Sequence, residues 1–368
     1  MLKQELARLA RGLLADPIPG APEAEFTITP DTGEDAAAIL AFASGNGLRV
    51  RFWGAGNHQA MGNSVPADIL MATTRLDSIV DWQVEDLTVV VEPGVAVADL
   101  EAGLQQQNQA AVLPEVPGTA TVGGVVAAGL SGWRRLRYGP TRDRMLEVRL
   151  ATGDGRLIRG GGRLVKNVTG YDLPRLATGS FGSLGLITEV CLKLWPLPPE
   201  HAMVHVEDAE QARKAAYRPL ALIETNTGAT LYLSGSREEI EAQAERVGGD
   251  LVPGHCWPQP LVGDTEAVLR VPPSDVGELV ARLREADIDF QAAHGVGEIR
   301  IAAEVDQLVE LRHAAERAGG ALVIVRVPPE IDFDPWGKPP DGIELQRRVK
   351  QAFDPRGVAN PGILPGGI

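Results

Sequence analysis

Three glycine-rich segments hold the residues best suited to chemistry in this chain. The first is Gly54-Ala55-Gly56-Asn57-His58-Gln59-Ala60-Met61-Gly62. The second runs from Pro117 and Gly118 through Thr121, Gly123, Gly124, Ala128 and Gly129 to Ser131 and Gly132. The third is Gly179-Ser180-Phe181-Gly182-Ser183-Leu184-Gly185. Glycine lets successive backbone N–H groups approach a phosphate closely and adopt positive φ, so such segments can cradle a diphosphate without cationic side chains. None of them spells Gly-x-Gly-x-x-Gly between a strand and a helix, and no Gly-x4-Gly-Lys-Ser/Thr loop is present, which excludes the two commonest nucleotide fingerprints. A single cluster would read as a tight turn. Three clusters beside predicted strands, all in the first half, exceed what turns require and point to a cofactor diphosphate held by amides.

The elements that must position these loops follow from hydrophobic periodicity. Leu48–Trp53 is a short β-rich run ending at Gly54, and Leu87–Val91 is a strand stopped by Glu92-Pro93-Gly94. Ala98–Gln107 has helical spacing. Leu146–Ala151 and Arg156–Arg159 flank the turn Thr152-Gly-Asp-Gly155, a hairpin. Leu186–Trp195 is a strand that meets Pro196, Pro198 and Pro199, where a unit must end. Beyond it the order strand–helix–strand–strand–helix–strand occurs twice, from Met203 to about Leu251 and from Val268 to Val327. Each is a split βαβ unit, and together they predict one continuous antiparallel sheet covered by helices. A proline- and glycine-rich loop, a helix over Ile343–Phe353 and the turn-rich Asp354–Gly362 form a tail folded against the rest. The expected division is 1–198, 199–328 and 329–368.

Composition narrows the classes. The chain has 368 residues, enough for two or three units, and a formal charge of −14 that argues against a nucleic-acid partner. Two cysteines, Cys191 and Cys256, cannot build a disulfide framework or a cysteine-ligated metal cluster. No apolar run is long enough to span a bilayer, and Met1–Ala15 reads as an amphipathic surface helix, not a secretory signal; a cytoplasmic protein is expected, attached to a membrane at most through partners.

Pro117–Gly132, Tyr138-Gly-Pro-Thr-Arg-Asp143, Gly170-Tyr-Asp-Leu173, Gly179–Glu189 and Asp354-Pro…Asn360-Pro-Gly362 resemble the flavin domain of the vanillyl-alcohol-oxidase (PCMH-type) family. More narrowly, Gly123–Arg135 and Val165–Leu173 are similar to the FAD-binding E-type subunits of bacterial glycolate oxidase. The resemblance runs from about residue 25 to the C-terminus. It implies an α+β fold: a two-lobed FAD-binding domain plus an antiparallel-sheet cap with helices on one face, built as ferredoxin-like repeats. It implies FAD, non-covalently held, contacted by Gly54, Ala55, Gly56, Asn57, His58, Met61, Gly62, Pro93, Pro117, Gly118, Thr121, Gly123, Gly124, Ala128, Gly129, Ser131, Gly132, Tyr138, Gly185, Ile187 and Asn360. It also implies a sibling D-type FAD subunit, an iron–sulfur F-type partner, and oxidation of a small 2-hydroxy acid, glycolate to glyoxylate.

Individual residues refine this. His58 lies where some family members attach flavin covalently, but the local pattern departs from the covalent motif, and a hydrogen-bonded or exposed histidine is expected. Ala293–Arg300 aligns with the His-x-Gly-x-Gly-Asn-x-His metal motif of related 2-hydroxy-acid dehydrogenases, with Ala293, Glu298 and Arg300 in the ligand positions. No metal is expected, because the ligands are replaced and metal sites need three or four converging ones. Lys166 and Asn167 face the cofactor or fix a loop, Tyr171 is structural, Asp172 caps the turn at Leu173–Ala177, and Cys191 is buried. Arg134 and Arg135 receive an anion, dock a partner or form a solvated basic face. With no catalytic residue identified, the expectation is a flavin-holding oxidoreductase subunit. The alternatives are a self-sufficient FAD-dependent 2-hydroxy-acid dehydrogenase and a scaffold with a decayed flavin site.

Overall fold

A computed structural model describes residues 2–64, 66–163, 170–328 and 330–368. Lys166 and Asn167 lie outside the described residues. The chain forms three principal sheets.

In the first sheet, β1 (Phe26–Ile28), β2 (Val50–Trp53) and β3 (Ile69–Ala72) are parallel in the order β1-β3-β2, and Leu14–Ala15 adds an antiparallel edge. Every residue of β2 and β3 is buried, as expected of parallel strands covered on both faces. Helix α1 (Leu2–Leu9) ends well short of Ala15, because the chain turns through Gly12 at φ +86° before the edge strand. Helix α2 (Gly33–Asn46) starts at a capping box, in which Thr32 and Asp35 satisfy each other's backbone N–H, and stops at left-handed Gly47. Its Ala36, Ile39, Leu40 and Ala43 pack with Leu6, Ile28, Val50 and Met71 into one core.

The second sheet is antiparallel: β4 (Ile79–Gln83), β5 (Thr88–Val91), β6 (Met145–Thr152), β7 (Leu157–Gly161) and β8 (Gly185–Lys193), in the order β4-β5-β8-β6-β7. Helices α3 (Val97–Gln105) and α4 (Val122–Ala128) pack on it through Leu100, Leu104, Val125 and Val126. Helix α4 corrects the reading of the second glycine segment as loop. Thr121 caps it by accepting from the Gly124 N–H at 3.2 Å, and Gly129 ends it at φ +65°. Gly123 is there for close packing, since a Cβ would lie 2.4 Å from Pro93 Cβ.

The third sheet has eight strands, all antiparallel: β9 (Glu200–Val206), β10 (Ala221–Thr225), β11 (Gly228–Gly235), β12 (Asp250–Pro253), β13 (Glu266–Arg270), β14 (Asp289–Ala293), β15 (Glu298–Ala302) and β16 (Ala321–Arg326). The order β12-β9-β11-β10-β14-β15-β13-β16 joins two split βαβ halves where β10 meets β14. Alternation separates the faces. Val204, Leu222, Leu231 and Leu233 pack under α5 (Ala209–Ala215) and α6 (Arg237–Val247); Leu269, Phe290, Ile299 and Ile301 pack under α7 (Val276–Glu285) and α8 (Val305–Arg317). Ile223, Tyr232 and Ala293 face the other way, against Trp133 and Tyr138 of the flanking lobe.

The tail passes through α9 (Ile343–Phe353) and returns to β2. The Val50 N–H donates to Val358 O and the Asn360 N–H to Val50 O, both at 2.9 Å. Lys350 Nζ donates to Ser183 O (2.6 Å), Ala359 O (2.7 Å) and Asp354 Oδ2 (2.7 Å). The buried Asp354 carboxylate also accepts from the Val358 and Ala359 N–H groups. No helix among the described residues is long and apolar enough to cross a membrane.

Candidate functional site

A cleft opens beyond the carboxyl end of β2, where Phe52 and Trp53 lead into the first glycine segment. That is where open parallel sheets place ligands. The N–H groups of Gly54, Ala55, Gly56, Asn57 and His58 donate to no acceptor among the described residues. Side chains would close this space. A Cβ on Gly54 would lie 2.5 Å from Thr121 Oγ1, and one on Gly56, whose φ is +81°, 2.5 Å from the Trp53 ring. The opposite wall is built from Pro93, α4 and the loop through Phe181 and Gly182. Asn360 closes the end: its Oδ1 accepts from the Phe52 N–H (2.9 Å) and its Nδ2 donates to Phe181 O (2.7 Å).

Of the residues expected to contact a cofactor, Gly54, Ala55, Gly56, Asn57, His58, Met61, Pro93, Thr121, Gly123, Gly124, Ala128, Gly185, Ile187 and Asn360 line this cleft. Gly129 and Ser131 instead line a second cleft, which Ala128 also reaches. Five line neither. Gly62 packs against the tail, with Ile363 O 2.9 Å from where its Cβ would be. Pro117 and Gly118 are exposed. Gly132 is pressed against Glu115, which accepts from the Trp133 N–H at 2.8 Å, and Tyr138 stacks edge-on with Trp195. The His58 ring is hydrogen-bonded to no described residue, while its carbonyl accepts from the Met61 N–H at 3.2 Å; the residue is half-buried, and burial holds its pKa below the ordinary value. Phe52, Trp53, Thr73, Phe181 and Ile363 line the cleft without having been singled out.

The second cleft, of about 620 Å³, lies open between the flavin-type lobes, the cap and the tail. It touches the first at Ala128 and Phe181 and carries Arg135, Arg142, Arg175, Arg270, Lys350 and Glu298. Arg134, considered beside Arg135 as an anion ligand, is engaged elsewhere: it donates to Glu115 (2.8 Å) and Leu113 O (2.7 Å). Within Ala293–Arg300, residues 294–297 form a turn, with Gly295 and Gly297 at positive φ, leading into β15 as expected. Its His294 is buried and meets Glu224 at 2.6 Å, Glu298 faces Arg135, and Arg300 stacks 4.0 Å over Trp133. Asp172 accepts from the Arg175 N–H, capping Leu173–Ala177, and Cys191 is buried, whereas Tyr171 is almost fully exposed instead of packed.

A family model described as an FAD binding domain matches residues 24–161. The chain is 31% identical over 303 residues to glycolate oxidase subunit GlcE of Escherichia coli (strain K12), an alignment covering 77% of this chain and 83% of that protein. It is 32% identical over 179 residues to glycolate oxidase subunit GlcD of Bacillus subtilis (strain 168), covering 47% of this chain but 37% of that longer protein. Among solved structures, an alkyldihydroxyacetonephosphate synthase superposes with a TM-score of 0.64 at 15% identity, covering 92% of this chain and 76% of that one, which speaks for the fold alone. The chain therefore belongs to the PCMH-type FAD-binding oxidoreductase family that includes glycolate oxidase subunit GlcE, and its cofactor is FAD.

Proposed function

We infer that this chain is the FAD-holding subunit of a complex that oxidises a small 2-hydroxy acid, glycolate to glyoxylate. The observation that carries the reading is the row of five N–H groups, Gly54 to His58, without an acceptor among the described residues, at the mouth of the parallel sheet. Free amides on a glycine-rich wall match the demands of a diphosphate, and the fourteen expected residues lining that cleft are proposed to hold FAD. In the same reading, residues 1–198 form the FAD-binding unit, 199–328 the cap and 329–368 the returning tail. A sibling D-type FAD subunit and an iron–sulfur F-type subunit complete a cytoplasmic assembly that reaches the membrane through its partners.

Bound FAD would accept the hydride lost from the α-carbon and let the electrons pass to the iron–sulfur partner. The chain's own residues bind and orient. The amides of 54–58 fix the diphosphate, Thr121 and Gly123 set α4 against Pro93, and Asn360 ties the tail to Phe52 and Phe181, which line the same cleft. Burial lowers the His58 pKa, which disfavours a positive charge on that ring beside the cradle. The test is glycolate-dependent dye reduction by the chain co-purified with its sibling subunits. Activity in the assembly that disappears when Gly54 and Gly56 are replaced by bulkier residues supports the reading. Undiminished activity in such a variant contradicts it.

A further inference from the structure

The second cleft differs from the first in charge. Among its basic groups, Arg175 is paired with Asp143 at 3.1 Å and Lys350 with Asp354 at 2.7 Å. Arg135, Arg142 and Arg270 are not neutralised in this way. Arg135 follows α4, Arg142 lies in the next turn, and Arg270 ends β13 of the cap, so the cap and the FAD-type lobe both contribute. Arg135 meets Glu298 at 3.7 Å, a carboxylate that Arg300 shares at the same distance. The Arg142 and Arg270 side chains make no hydrogen bond or ion pair with a described residue. Burial depresses the Arg135 pKa, Glu298 and Asp143 oppose the shift, and the charges of Arg270 and Arg142 add to it, so Arg135 lies within the field of both other guanidiniums.

Arg142 and Arg270 are exposed and Arg135 is half-buried, so the three side chains offer accessible guanidinium donors to the cleft in a chain whose net charge is −14. A second observation points the same way. Ser180 is 7% exposed, its hydroxyl has no partner among the described residues, and it lines the same cleft. Trp336, Leu345, Leu364 and Ile368 give part of the wall an apolar surface, which suits the short carbon frame of a small organic acid.

We propose that Arg135, Arg142 and Arg270 form a carboxylate clamp in this cleft, next to the flavin site, so that this subunit itself receives the 2-hydroxy acid. Planar guanidiniums match carboxylate geometry and give charge-assisted hydrogen bonds. The clamp rests on the reading of the first cleft as the flavin site, and it shifts part of the substrate chemistry onto this chain.

The full-length chain, as purified, is titrated calorimetrically with oxalate and with glycolamide, which keeps the hydroxyl but lacks the charge. Oxalate is expected to bind and glycolamide not to bind. Arg142→Gln and Arg270→Gln, on separate elements, are each expected to weaken oxalate roughly 10-fold or more with thermal melting and flavin content unchanged. The proposal is overturned if oxalate does not bind, if both variants bind it as tightly as the parent, or if glycolamide binds equally well. It is also overturned if the variants lose only their association with co-purified subunits, which would make the cluster a docking surface for an acidic partner. A colourless chain that still binds oxalate through these arginines would sink the flavin reading and leave the clamp standing; a yellow chain indifferent to oxalate would do the reverse.

Discussion

Asn360→Ala removes the residue through which three distant segments meet. In the native chain the Asn360 side chain accepts from the buried Phe52 N–H at 2.9 Å and donates to Phe181 O at 2.7 Å, while its own N–H holds Val50 O. The backbone bond survives the substitution, but the other two are lost and leave polar groups buried without partners. Each such loss costs about 1–1.5 kcal/mol. The residue sits at φ +38°, a left-handed conformation that asparagine tolerates better than alanine, adding roughly 1 kcal/mol. The sum is a destabilisation of about 3–4 kcal/mol, with release of FAD at lower urea than in the parent. Urea unfolding followed by the fluorescence of the flavin and of tryptophan, Trp53 among the reporters, measures it. Asn360→Asp keeps the acceptor and loses the donor, so it falls between the two. A loss below about 1 kcal/mol for Asn360→Ala would refute the reasoning, because two buried bonds cannot then have been at stake.

Lys350→Met leaves the buried Asp354 carboxylate without its cation and should cost about 3–5 kcal/mol, read by thermal or urea unfolding; a neutral effect would mean the tail is not anchored there. Burial, then the neighbouring His255 and Arg134, hold the His201 pKa down at about 4 against an ordinary 6.5. Because the folded value is the lower one, its contribution is complete above pH 6.5 and declines as pH falls toward 4. The shift is worth at most about 3 kcal/mol, and solvent screening of the part-exposed ring leaves about 1–2 kcal/mol. His201→Gln should flatten the stability profile between pH 6.5 and 4, and an unchanged slope would reject the assignment. Cys256 is exposed, whereas Cys191 is buried with its thiol pKa pushed up to about 11. A thiol reagent should therefore modify one cysteine in the folded chain and both after denaturation, and fast modification of Cys191 in the folded state would contradict the packing of β8.

The elements beyond residue 199 were legible because alternation and helical spacing are local signals: the cap repeats strand–helix–strand–strand–helix–strand twice as read, and α9 of the tail falls where the pattern places it. The two-lobed half was legible through its glycine clusters, and most of the residues singled out converge on one cleft. What escaped was set by contacts between distant segments. Gly123 and Gly124 read as loop because glycine is a poor helix former, yet Thr121 caps a helix there and only glycine fits against Pro93. Phe52 and Trp53 read as core strand, and nothing local says that their strand ends in a cleft wall. Gly132 and Tyr138 looked like cofactor contacts by position, but tertiary packing turns them to Glu115 and Trp195. Arg135, Arg142 and Arg270 could not be grouped from the sequence, since 128 residues separate Arg142 from Arg270 and only docking of the cap brings them to one cleft.

The visible absorbance spectrum of the purified chain tests the central claim most directly. The account predicts flavin bands that persist through gel filtration at one FAD per chain, and that weaken when bulkier residues replace Gly54 and Gly56. Protein that is colourless, and stays so after incubation with FAD, would contradict it.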